Sequence, residues 1–140
     1  MKSVSGTIPT VITNGEDPVA SGLVLSLAHP GGNITGLTSV ARDLSSKRLQ
    51  LVKTMLPSAA NVAVVWNGAF ANKVMEVKET QSAAITLGLQ IIPVEIQRPD
   101  DIDQAFADAI NKHIDALISL PDPLTNVLAT RIIELAKHCA

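Results

Sequence analysis

Four residues stand where the charges of a ligand could be read: Asn14 and Asp17 in TNGEDP, Asn67 in WNGAFAN and Asp122 in LPDPLTN. Each follows a short apolar run and precedes a helical pattern, so each falls in a turn at the carboxyl end of a strand. In an open parallel sheet, small molecules bind on that side. The side-chain oxygens accept hydrogen bonds from an ammonium or an amide. Helix N-termini in these turns, and in the QRPDD turn after Ile96, offer free amides to a carboxylate. The combination suits a zwitterion such as an amino acid. Plainer roles compete. Asp17 and Asp122 each precede a proline and read as N-caps, and Asn14 and Asn67 are ordinary turn formers. One residue can cap a helix and also touch a ligand. Phe70 sits in a loop and would cover an apolar ligand group, whereas Trp66, at the end of a strand, reads as core.

Catalysis finds little support. His29, His113 and His138 fall near helix ends or strand starts, and the Lys residues beside the last two place them in helix C-terminal turns, where the dipole favours a cation. No GxSxG elbow occurs, PGGN is not a phosphate loop, and GxGxxG is missing. One Cys and scattered His give no usable metal spacing, so no enzyme, metal or cofactor is expected. Cys139 falls in a helical pattern and reads as a quiet, half-buried thiol.

The elements that would carry these residues alternate. Ile8–Thr13 is a short β-branched run that suits a buried strand. Asp17-Pro18 should open a helix whose stripe is Val19, Leu23 and Leu27, ended by Pro30-Gly31-Gly32. Ile34–Ser39 is extended. From Asp43 the pattern is helical, with Leu44, Leu51, Val52, Met55 and Leu56 inward and Lys47, Arg48 and Lys53 in water; Pro57 stops it. Three strand–helix units follow. Their strands are Asn61–Trp66, Gln90–Ile96 and Ile114–Leu120, the second fitting an edge because of Pro93. The helices carry the stripes Val74, Val77, Ala84, Leu87; then Ile102, Ala105, Phe106, Ala109, Ile110; and finally Leu124, Val127, Leu128, Ile132, Leu135. This order predicts an α/β fold, a parallel sheet with helices on both faces and Asn61–Trp66 and Ile114–Leu120 among its central strands.

Composition sets outer bounds. In 140 residues, 46% apolar content is enough for a core, and a net charge of −2 offers no basic surface for nucleic acid. Two Phe, one Trp and no Tyr make a poor stacking platform for single strands. No apolar run approaches a membrane span, and MKSVSGTIP lacks the apolar stretch of a signal peptide.

The segments "DPVASGLV", "HPGGNITGL" and "SSKRLQLVKTMLP", in that order, resemble the substrate-binding proteins of a bacterial ABC-transporter family. The resemblance runs along nearly the whole chain. It implies a type I periplasmic-binding-protein fold, Rossmann-like or flavodoxin-like in each of two α/β lobes that close on a small organic solute. It further implies that the chain is a fragment: residues 1–38 would be the end of the first lobe and the crossover, and 39–140 a partial second lobe. Thr38, in ITGLT, matches a hinge position. The partners implied are the solute and an ABC permease, and the place implied for the intact protein is periplasmic or extracellular, with or without a membrane anchor. The resemblance leaves open a ligand-sensing regulatory domain of the same fold, and the pattern alone a nucleotide- or phosphate-using α/β enzyme. With its first lobe incomplete, the chain is expected to self-associate through exposed strand edges and the Ile8–Leu27 segment.

Overall fold

The computed structural model describes residues 7–19, 21–39 and 44–137, with the backbone alone at 14–16 and 39. Expectations for His138 and Cys139 lie outside the described residues. The chain divides into two compact units, Met1–Asp43 and Leu44–Ala140.

In the first unit, β1 (Thr10–Glu16) and β2 (Ile34–Ser39) pair in parallel, with Thr10 opposite Ile34 and Gly15 opposite Thr38. The register slips between Ile12 and Gly15. Gly36, at φ 152°, lies against Ile12, whose carbonyl oxygen would be 2.0 Å from any Cβ there, so the pairing itself requires glycine.

The helix expected from Asp17-Pro18 does not form. The described residues between 17 and 33 make turns and bends instead. Asp17 adopts φ 40°, a left-handed conformation that Asp tolerates but that an N-cap does not use. Its carbonyl accepts from the Ser21 amide at 3.1 Å, Gly22 turns left-handed at φ 66°, and the carbonyl of Pro18 takes the amides of Leu23 and Val24. The supposed stripe is correspondingly wet, Val19 and Leu27 both being exposed.

The second unit is an α/β layer. Its sheet has the order β4–β3–β5, all parallel: β3 (Asn61–Asn67) in the centre, β4 (Gln90–Ile96) on one side and β5 (Ala116–Ser119) on the other. β3 is buried from Val62 to Asn67, as its unbroken apolar run requires of a strand covered on both faces. Pro93 does sit on an edge strand, where a missing ladder donor is tolerated. β5, expected among the central strands, pairs only with β3 among the described residues.

Helices cover both faces. Val62, Val64 and Trp66 face α1 (Ser45–Met55) and α2 (Ala71–Thr86), meeting Leu49, Val77 and Ala84. Ala63 and Val65, with Ile92, Val94 and Ile96 of β4, face α3 (Ile102–Ile110) and α5 (Ala129–Ala136) through Ile102, Phe106, Ala109 and Ile132. A short helix α4 (Pro123–Val127) precedes α5, dividing at Leu128 what the pattern reads as one helix. Val127 of its expected stripe is exposed.

The face of α1 differs from expectation. Leu49 is its core residue, flanked by buried Ser45 and half-buried Val52 at spacings of four and three, while Leu51 and Met55 are exposed. Arg48 and Lys53 are not simply in water. Arg48 Nη1 is 2.9 Å from Glu76 Oε1, and Lys53 Nζ donates to the Ala59 carbonyl.

Candidate functional site

Three of the six residues expected to bind a ligand come to one end of the second unit. Asn67 closes β3, and Asp122 begins three residues past β5; both are buried. Asn67 Nδ2 donates to Asp122 Oδ1 at 3.3 Å, joining the two strand ends, and its own Oδ1 accepts from the Ala69 amide at 3.0 Å. Phe70, the N-cap residue of α2, lies in the same β3–α2 loop and is 47% exposed. The other three belong to the first unit. The Asn14 backbone is in β1, Asp17 follows that strand, and Thr38 is in β2, where it lines a small pocket with Ile12, Pro18, Val24, Leu27 and Ile34.

Asp122 does cap its helix, as the Asp-Pro start implies. It is extended at φ −156°, and its Oδ1 accepts from the amides of Leu124 at 2.7 Å and Thr125 at 3.2 Å. The Asp122 amide donates back to Thr125 Oγ1, completing a capping box, and that hydroxyl donates to the Leu120 carbonyl at 2.8 Å. The carboxylate is therefore fixed by local chain chemistry and turned toward the end of β3. Oδ1 carries three donors, from Leu124, Thr125 and Asn67, whereas the buried Oδ2 has none.

The neighbouring turns are built differently. The Gly68 amide donates to the Ile96 carbonyl at 2.9 Å, tying the β3–α2 loop to β4. The Glu95 side chain lies over Gly68, where a Cβ would come within 2.0 Å of Glu95 Oε1. In the QRPDD turn Asp101 accepts the amides of Gln97 and Arg98. Those two amides, Gln97 first, hold the Asp101 carboxyl below the usual carboxylate value, and Arg98 lowers it further.

A charged cluster escaped the sequence reading. Lys73, in the first turn of α2, is 1% exposed, and its Nζ lies 2.9 Å from Glu76 Oε2, while Arg48 binds the other oxygen of that carboxylate. Thr80, one turn further on, is buried too. The i, i+3 spacing of Lys73 and Glu76 is visible in the chain, but their burial depends on Arg48, 28 residues away. Among the described residues no group of three His, Cys, Asp or Glu is placed to hold a metal ion, and no helix is long and apolar enough to cross a membrane.

Comparison with known proteins places this geometry. The family model described as ABC transporter substrate binding protein matches residues 1–138. A tyrosine-binding protein of Clostridioides difficile is 32% identical over 117 residues, covering 84% of this chain and 33% of that protein. A conserved domain protein of Vibrio cholerae superposes with a TM-score of 0.85 at 28% identity, over 99% of this chain and 46% of its own. An ABC domain of Streptococcus pneumoniae, solved with L-Trp, shares the fold at a TM-score of 0.80 and 20% identity, again over 99% and 46%. The chain thus spans a third to just under half of the length of these relatives.

Proposed function

Because this chain belongs to the ABC transporter substrate binding protein family, we propose that it is part of the solute receptor of a bacterial ABC importer, with Asn67, Phe70 and Asp122 as solute contacts of its second unit. The observation that carries this reading is the Asn67–Asp122 hydrogen bond at the carboxyl ends of β3 and β5, where parallel α/β sheets bind ligands. It holds a buried carboxylate in place with acceptor capacity left over, while the exposed ring of Phe70 offers an apolar surface in the same loop. Asn14, Asp17 and Thr38 are proposed as solute contacts of the first unit.

An amino acid is the solute class we favour, supported by the tyrosine-binding relative and by the carboxylate that would take an ammonium. The function is binding rather than catalysis: solute stabilises one conformation over another, and a membrane permease reads the result. A periplasmic or extracellular location goes with that role. Calorimetric titration with a panel of amino acids tests it. L-tyrosine is expected to bind weakly, and Asp122→Ala and Asn67→Ala to reduce that binding further. Wild-type affinity in both variants would put the solute elsewhere.

A further inference from the structure

The orphaned polar atoms of the second unit lie at one end, and with the solute-binding reading above as premise they indicate how the charged groups of a solute are held. Among the described residues, the buried side-chain polar atoms without a hydrogen-bond partner are Ser45 Oγ, Trp66 Nε1 and Asp122 Oδ2. Trp66 is the penultimate residue of β3, and Asp122 lies just past β5. Ser45 opens α1, whose last turn is anchored beside the start of β3 by Lys53 and the Ala59 carbonyl. Its 11 residues, at about 1.5 Å each, carry Ser45 back toward the carboxyl end of the sheet. Arg48 of α1 and Glu76 of α2, in contact near the heads of the two helices, confirm that α1 and α2 run the same way.

Unpartnered buried polar atoms are few in folded proteins, and each costs about 1–3 kcal/mol. Here their chemistry is complementary. A carboxylate oxygen only accepts, an indole N–H only donates, and a hydroxyl does both. Asp122 Oδ1 is already occupied by three N–H donors, which leaves Oδ2. The Trp66 ring packs with Val64, Val77 and Leu120, and Leu120 is two residues before Asp122, so one apolar cluster supports both the indole and the carboxylate.

We propose that these atoms are the polar contacts of an α-amino acid: Asp122 Oδ2 accepts from its ammonium, and Trp66 Nε1–H donates to its carboxylate, with the Ser45 hydroxyl as a second donor. Asn67 is a positioning residue that acts through Asp122. The three atoms are sealed from solvent, so the solute reaches them only when side chains at the strand-end loops move aside. The solute class is thereby narrowed to molecules carrying both charges. An amine alone or an acid alone leaves one orphan unmet.

Trp66 is the sole tryptophan of the chain, so its indole N–H gives one resonance in a nitrogen-15 spectrum. The 140-residue chain is titrated with L-tyrosine, with tyramine and with 3-(4-hydroxyphenyl)propionate. L-tyrosine should move the indole resonance saturably, and each analogue should bind at least about tenfold more weakly, the loss expected for one hydrogen bond to a charged group. Asp122→Asn keeps the capping oxygen but sets an N–H₂ group at the Oδ2 position. It should weaken L-tyrosine and tyramine by about tenfold or more and the propionate by less than about twofold. An indole resonance that stays still while L-tyrosine shifts others, a propionate as tight as L-tyrosine, or an equal loss for all three in Asp122→Asn would overturn this inference and leave the solute-binding reading standing. No movement with any of the three at millimolar concentration would overturn both.

Discussion

β5 carries an aspartate near each end, and the two are used in opposite ways. Asp115, just before the strand, accepts the amides of Ala60 and Asn61 on one oxygen, each at 2.8 Å, and so ties the entry of β5 to the entry of β3. Asn61 Nδ2 donates to the His113 carbonyl and Lys53 to that of Ala59, which closes the amino end of the sheet with backbone partners. Asp122, past the other end, caps α4 and reaches Asn67 with one oxygen but leaves the second without a donor. Ser45 and Trp66 are left unpaired toward that same end. A sheet end that only had to hold together would have no use for such vacancies. The contrast separates a structural end from a binding end within one small α/β layer.

The largest expected effect that would break or sharpen this contrast is a crossed pair of variants. Asp122→Ala should abolish measurable binding of L-tyrosine and cost about 0.5–2 kcal/mol through the lost cap. Asp115→Ala should lower the urea midpoint and leave affinity within about twofold of wild type, a change too small to represent a lost hydrogen bond. If Asp115→Ala weakened binding as much as Asp122→Ala, the two ends would not differ in kind.

Association is the next effect in size. In the first unit Val11, Leu25 and Leu37 are 68%, 76% and 73% exposed, and β1 and β2 form a two-stranded sheet among the described residues. Apolar surface of this sort favours pairing with another chain. Light scattering at micromolar concentration should therefore report a dimer or larger species, and Leu25→Ser with Leu37→Ser should shift it toward monomer. A wild-type chain that stays monomeric would remove this expectation.

Acid should find the amino end first. The Asn61 amide, then that of Ala60, lowers the Asp115 carboxyl from its usual value of 3.8, and Lys53 adds to the effect. A carboxyl lowered in the folded protein stabilises it fully above the unfolded value and loses that contribution as pH falls through the folded value. Wild type should thus lose stability below about pH 4, and Asp115→Asn should lose less over the same interval. Parallel curves for the two proteins would show that Asp115 contributes no such linkage.

Gly68→Ala is the mildest test. The added methyl must displace the Glu95 carboxylate, a flexible exposed group, so stability should change by less than about 1 kcal/mol. Solute affinity should fall by more than stability does, because the β3–α2 loop carries Asn67 and Phe70.

The dipeptide Asp-Pro occurs twice in this chain as a helix start and is right once, which shows where sequence reading succeeds. At Asp122 the signal is completed locally, since Thr125 closes the capping box and Leu124 and Leu128 pack on the sheet. At Asp17 the same signal meets Gly22 and a backbone turned left-handed, and Val19 and Leu27 find no surface to bury against. The strands of the second unit were legible because β-branched runs such as Asn61–Asn67 are set by their own composition. The Arg48–Glu76–Lys73 cluster was not, because charged residues on helices read as solvent-facing until the partner helix is known. Asn67 and Asp122 were legible as strand-end residues. That their side chains meet, and that one oxygen is left over, depends on strand order and could not be read from spacing.

Amide chemical-shift mapping of the 140-residue chain on addition of L-tyrosine tests the central claim most directly, because it reads both ends of the sheet in one experiment. The account predicts saturable shifts at 67–70 and 121–125, with Ala60, Asn61 and Asp115 unmoved. Shifts centred on Ala60, Asn61 and Asp115, with 67–70 and 121–125 silent, would contradict it.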